Sequence, residues 1–183
     1  MSNLFQTLEI EAFRAGITPR TKQSMEWFRK KATQLGRVGK SIMNDEAVKL
    51  QQSMVDPVGK MYMFFYDPKH KETLPYYDKF PLILMTGPAK GGFYGLNLHY
   101  MPPVLRAKVL DAVLSEEDEK VALTRIPKKY IGPMIHHYLT NNVKSRFALV
   151  EKPEWEIATF LPTAQFAKAT ASRVYTDSKR MIK

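Results

Sequence analysis

The side chains that could do chemistry are few and dispersed. His99 and the adjacent pair His136–His137 are candidates for metal ligation. Asp67, Asp78, Asp111, Glu154 and Glu156 are the carboxylates available for metal-dependent phosphodiester cleavage. That chemistry needs acidic groups gathered around a cation site, and this spacing shows no such cluster. Adjacent residues on a helix point in different directions, so His136 and His137 cannot share one ion. The expectation is one histidine in the core and one on the surface. Asp67-Pro68 reads as a turn. Gly87-Pro88-Ala89-Lys90-Gly91-Gly92 has the glycines of a phosphate loop but lacks the Gly-Lys-Ser/Thr ending that leads into a helix. It therefore reads as a hairpin turn. No catalytic residue, metal site, cofactor or small-molecule substrate is expected.

Binding is a better use of these residues than catalysis. The chain of 183 residues carries 28 Lys and Arg against 18 Asp and Glu, a formal net charge of +10. Such a surplus points to a polyanion or an acidic protein surface. The cations are clustered. Arg20, Lys22, Arg29, Lys30, Lys31, Arg37 and Lys40 surround one acidic residue, Glu26. Lys128-Lys129 with Lys144 and Arg146 form a second group, and Lys179-Arg180 with Lys183 a third. Contacts from such groups to phosphates are independent of sequence and sensitive to salt. Arg29, Lys30, Lys31, Arg37, Lys40, Lys128, Lys129, Lys144 and Arg146 are the candidate DNA-binding residues. Trp27, Tyr130 and Tyr175 lie beside these clusters and could stack on unpaired bases.

The elements that must position them read as α+β. Residues 57–175 form a compact domain, preceded by a basic helical arm at 1–56 and followed by a basic tail at 176–183. Helices are expected at 2–15, from Thr18-Pro19 to Leu35, and at 44–53. A small bent β-barrel or sheet follows over about residues 58–101. Its strands are expected at Lys60–Tyr66, at Phe80–Met85 ended by Gly87-Pro88, and at Phe93–Tyr100. Tyr94, Leu96, Leu98 and Tyr100 form the expected core face of the last strand. Surface-directed Tyr and Met of this block would suit a protein interface. Pro102-Pro103 opens a helix to Leu114, and Ser115 to Asp118 reads as the capped start of another. Further helices are expected at 131–142 and 163–170, with a strand at Phe147–Val150 and a short helical stretch from Pro153.

With no cysteine, disulfides and thiolate zinc sites are excluded. The N-terminus lacks a cationic start followed by an apolar run, and no apolar stretch approaches the roughly 20 residues that span a bilayer. The expectation is a soluble protein made in a cytoplasm, without a membrane partner.

Four blocks carry a resemblance: GKMYMFFYDPKHKETLPYYDKFPLIL, GGFYGLNLHYMPPVLRAKVLDAV, VKSRFALVEKPEWEIATFLPTAQF and SRVYTDSKRMI. Together they resemble virion proteins of contractile-tailed bacteriophages of the T-even type, above all the DNA end protectors. The resemblance runs from about residue 57 to the C-terminus, is weak near 114–128, and does not draw on residues 1–56. It implies a non-enzymatic virion protein, made in the host cytoplasm, that binds double-stranded DNA at the end of the packaged genome. The alternative it leaves open is a structural neck, tail or baseplate protein that joins neighbouring virion subunits, with a homo-oligomeric ring as one form of that assembly. It transfers no catalytic residue.

Overall fold

A computed structural model describes residues 13–17, 50–51, 57–145, 147–160 and 163–182. The expected basic arm therefore lies almost wholly outside the described residues, as do its helices at 2–15 and from Thr18 to Leu35. The strands are β1 (Leu50–Gln51), β2 (Met61–Met63), β3 (Tyr77–Asp78), β4 (Leu82–Ala89), β5 (Gly92–Asn97), β6 (Ile135–Leu139), β7 (Phe147–Val150) and β8 (Phe166–Ala167). The helices are α1 (Pro103–Leu114), α2 (Glu119–Arg125), α3 (Lys128–Ile131), α4 (Trp155–Phe160) and α5 (Ala171–Met181). The class is α+β. One antiparallel sheet has the order β1-β7-β2-β4-β5-β6, and β3 pairs with β8 in a second, two-stranded sheet.

Alternation along the strands sorts the core into two layers. Met61, Met63, Leu82, Leu84, Leu96, Ala148 and Val150 face the helices and join Val109, Val113, Trp155 and Val174 in the main cluster. Tyr62, Phe64, Ile83, Met85, Phe93 and Tyr138 form a second cluster on the opposite face. Both faces of β2 are buried, which is why Met61 to Tyr66 shows no alternation of polar and apolar residues.

The second face is concave. Phe64 on the chain leaving β2 meets Tyr138 on β6 with ring centroids 5.3 Å apart, although β4 and β5 lie between those strands. A flat sheet would hold them about 14 Å apart, at roughly 4.8 Å per strand. Phe93 on β5 likewise reaches Phe147 on β7 at 5.5 Å. Tyr66 bridges to Val143, and its hydroxyl accepts a hydrogen bond from the Leu139 N–H at 3.1 Å. The sheet is thus strongly bent but open, not a barrel. The bend folds most of the aromatic block inward: Tyr62, Tyr66, Tyr100 and the methionines are core, Tyr76 and Tyr77 are half-buried, and Tyr94 faces the surface.

Glycine permits the bend at two places. A Cβ on Gly95 would lie 2.6 Å from Ile83 Cδ1, and one on Gly92 would lie 1.8 Å from the Tyr138 carbonyl oxygen. β4 also carries a register shift between Met85 and Gly87, a bulge that increases local twist. Gly87-Pro88 does not end this strand as expected. β2 pairs with β4 only as far as Leu84, so the stretch around Pro88 has β5 as its one partner and proline is tolerated there.

Several expectations are corrected. Residues 131–142 are not a helix: a 3-10 turn at Gly132–Met134 leads into β6, which pairs with β5 from Leu96↔Ile135 to Gly92↔Leu139. The third strand stops at Asn97, whose side chain accepts from the His99 N–H and turns the chain into a 3-10 helix, Leu98–Tyr100. Its core face was only partly read: Tyr94 is 43% exposed, whereas Asn97 and His99 are fully buried. Leu50–Gln51 is a strand rather than part of a helix. The stretch 163–170 contains β8 instead of a helix, and the last helix begins only after Thr170, whose hydroxyl accepts from the Arg173 N–H. That helix, α5, runs through the boundary expected at residue 176, with Val174 and Ser178 buried on one side.

α1 is as expected. Pro103 occupies its first turn, and Arg106, Val109, Leu110 and Val113 bury one face at helical spacing. Asp118, rather than Ser115, caps α2, accepting from the N–H groups of Lys120 and Val121.

Candidate functional site

Of the nine expected DNA-contacting residues, Lys128, Lys129 and Lys144 are described. Arg29, Lys30, Lys31, Arg37, Lys40 and Arg146 lie outside the described residues. All three lysines are exposed, and none has a carboxylate within ion-pair distance among the described residues. Lys128 and Lys129 open α3, just before β6, and Lys144 lies just after the 3-10 turn that follows β6. The two groups therefore flank the two ends of an edge strand rather than merging. Between them the edge carries exposed His137, whose ring lies 5.3 Å from that of Tyr94. The Lys129 ammonium sits 4.8 Å from the centre of the Tyr130 ring.

Five other cations are matched locally, whereas exposed Lys69, Lys79, Lys90, Lys108 and Lys179 are, like the three lysines, not among the ion pairs of the described residues. Lys71 pairs with Asp67, Lys152 with Glu119, and Arg125 with Glu116, while Arg173 and Arg180 both lie 3.9 Å from Asp177. Arg106 is buried at the base of α1. Its Nε donates to the Met101 carbonyl, Nη1 to that of Thr159, and Nη2 to the His99 carbonyl and the Tyr175 hydroxyl. It thereby ties α1, α4 and α5 to the end of β5, and its role is structural.

A polar centre missed by the sequence reading lies beneath this frame. The Asp78 carboxylate accepts from the backbone N–H groups of Phe80 and Gln165, from Asn97 Nδ2, and from His99 Nδ1 at 2.6 Å. On its far side, His99 Nε2 lies 2.9 Å from the Thr163 hydroxyl. Asn97 Nδ2 also donates to the Tyr138 hydroxyl at 3.0 Å. Burial alone raises the pKa of Asp78, but the His99 ring and the two backbone N–H groups outweigh it and hold the carboxyl below its ordinary value. The order carboxylate, imidazole, hydroxyl is that of a nucleophile relay. Here all three groups are buried, so the relay offers no open attack site. It joins β3, the end of β5 and the segment before β8.

Above Asp78 opens a cleft of about 310 Å³. Tyr76, Tyr77, Tyr100, His136 and Tyr138 are among its lining residues, with Pro75, Pro133 and Met181 at other points of the wall. The Tyr76 and Tyr100 rings lie 5.9 Å apart, and Tyr100 packs on His136 at 4.3 Å. Burial pushes the Tyr100 hydroxyl well above its usual pKa, and the Asp78 charge adds to the effect. Burial lowers His136 to about 4, so its ring is neutral near pH 7. His136 Nε2 is buried with no hydrogen-bond partner among the described residues, a state that costs about 1–3 kcal/mol. His136 and His137 do point apart as expected, but on a strand; His99 is the histidine fully in the core. The signal available for the cleft was the Pro75-Tyr76-Tyr77-Asp78 run, which composition alone could not link to Tyr100 and His136.

Among the described residues no group of three His, Asp or Glu side chains is placed to hold a metal ion, and no helix is long and apolar enough to cross a membrane. In comparison with known proteins, the chain matches the model of a family described as phage T4 terminal DNA protecting protein over residues 5–181. That match extends through the N-terminal segment, which the resemblance drawn from the sequence had left out. No curated protein matches, and no solved structure matches.

Proposed function

We propose, from the premise that this chain belongs to the phage T4 terminal DNA protecting protein family, that it is a virion-borne protein which caps the ends of packaged phage DNA by occupancy and without catalysis. The observation that carries this reading is the extent of the family match, residues 5–181 of 183. The surface agrees with it. Lys128 and Lys129 at one end of β6 and Lys144 at the other have no carboxylate partner among the described residues and are free to meet phosphates. In this reading Arg29, Lys30, Lys31, Arg37, Lys40 and Arg146 add further phosphate contacts, and the bent sheet is the rigid frame.

A structural role joining virion subunits through the aromatic block is less well supported, because the bend of the sheet buries most of that block and leaves Tyr94 as its one exposed Tyr or Phe ring among the described residues. Docking onto other virion proteins, or assembly into a ring, remains compatible with end binding through other surfaces.

The test is binding of the pure protein to a labelled linear duplex over a salt series, followed by exonuclease challenge. If about six phosphates are neutralised, affinity falls by roughly a thousandfold between 50 and 200 mM salt. The bound duplex should outlast the free one under exonuclease. Salt-independent binding, or equal digestion of free and bound DNA, defeats the proposal. Magnesium-dependent cleavage of the duplex by the protein itself defeats the non-catalytic part.

A further inference from the structure

We infer that the tyrosine-lined cleft above Asp78 receives the terminal nucleobase of the DNA end, unstacked from its duplex. This rests on the end-binding reading above and extends it to a defined pocket.

Size is the first support. About 310 Å³ is at the lower limit of ligand pockets and matches the size of a single nucleobase. Composition is the second. Tyr76 and Tyr77, both half-buried, line one cavity together with the more deeply set Tyr100 and Tyr138, and aromatic faces stack on any base regardless of sequence. A protein that guards genome ends needs that tolerance.

Polarity narrows the ligand further. The buried Asp78 carboxylate lies in the cleft wall, which repels a phosphate but not a neutral heterocycle. His136, also in the wall, holds an unpartnered ring nitrogen. A neutral imidazole can donate to or accept from a base edge once a small ring shift brings that nitrogen to the ligand. The phosphates belong outside. Lys69 and Lys179 are exposed and are the chain neighbours of the lining residues Pro68 and Ser178.

An end is where such a pocket can work. Extracting a base costs unpairing and unstacking, and the cost is least where the nucleotide is already frayed or unpaired. A terminal base has one stacking neighbour instead of two. The cleft therefore discriminates an end from the interior without reading sequence.

The experiment compares a linear duplex with a one-nucleotide overhang against the same duplex closed at both ends by hairpins. Wild-type protein, Tyr76→Leu and Met181→Trp are assayed, with thermal melts to confirm folding. Tyr76→Leu removes a half-buried ring from the wall, and Met181→Trp places bulk at an exposed position beside the mouth. Wild-type protein should prefer the open duplex by about tenfold, the worth of one stacked base. Both variants should bring that ratio near one while leaving affinity for the closed duplex unchanged. A terminal 5-iododeoxyuridine should photocrosslink to Tyr76 or Tyr100, and the same base placed mid-duplex should not. An open-end preference that both folded variants retain, with no terminal crosslink in the cleft, overturns the inference and leaves end binding intact. That is also the outcome expected if the cleft instead accommodates a virion protein. Failure to bind either duplex overturns the end-binding reading and the inference together.

Discussion

Asp78 does more to hold this protein together than its place in a two-residue strand suggests. Its carboxylate is satisfied from four directions, and removing it takes an acceptor from His99, from Asn97, which keeps the Tyr138 hydroxyl, and from the backbone N–H groups of Phe80 and Gln165. Asp78→Ala should cost about 3–5 kcal/mol in urea denaturation, the usual consequence of breaking a buried pair. Because the folded-state pKa is depressed, this stabilisation is present above the ordinary carboxylate value. It is lost as pH falls through the lower folded value. His136 acts in a separate window. Its folded pKa, about 4, lies below the ordinary 6.5, so between those values the unfolded chain binds a proton that the fold refuses. Stability contributed by neutral His136 is therefore complete above pH 6.5 and declines toward pH 4, by on the order of 3 kcal/mol. His136→Phe keeps a ring against Tyr100 and cannot titrate. The difference in unfolding free energy between wild type and this variant should change with that slope across the window. A constant difference contradicts the burial assigned to His136.

At the scale of elements, the bend of the sheet depends on backbones approaching where no Cβ fits. Gly92→Ala places a methyl against the Tyr138 carbonyl, part of the strand backbone and unable to swing aside. Calorimetry should find this variant strongly destabilised or unfolded. Gly87→Ala meets nothing within 4 Å and should stay within about 0.5 kcal/mol of wild type, the range for benign substitutions. The last helix is the other element whose status changed. With Val174 in the core, Thr170 as cap and Tyr175 bonded to Arg106, α5 should resist limited proteolysis as long as the core does. Early cleavage within 171–181 contradicts this packing. α1 was legible because the prolines at its start are a local signal, although its buried face includes Arg106, which no apolar pattern would show. β6 was not. Ile131, Met134 and Tyr138 fall at helical spacing, and the strand emerges only from pairing with β5, some forty residues earlier in the chain.

At the scale of the molecule, the cations behind the net charge of +10 divide into those that pair with carboxylates and those that do not. Lys71, Lys152 and Arg125 are matched with carboxylates, whereas Lys128, Lys129 and Lys144, at the ends of an edge strand, have no carboxylate partner among the described residues. If those lysines contact phosphates, Lys128→Ala with Lys129→Ala should reduce the slope of log affinity against log salt by about 2. The paired Lys152→Ala should leave it nearly unchanged. Equal effects from the two changes indicate a diffuse charge effect instead of a contact surface.

Composition, charge and the local punctuation of proline and glycine by themselves determined the α+β class, the proline-led helix after β5, the strand at 147–150 and the surplus of cations. These are properties of single segments or of the whole sum, and they need no partner to be read. The curl of the sheet, the burial of the aromatic block, the Asp78–His99–Thr163 network and the cleft were decided only in three dimensions. Each depends on side chains separated by tens of residues meeting at one point. The hydrophobic effect demands burial without naming the neighbour; the glycine approaches and backbone pairings choose it.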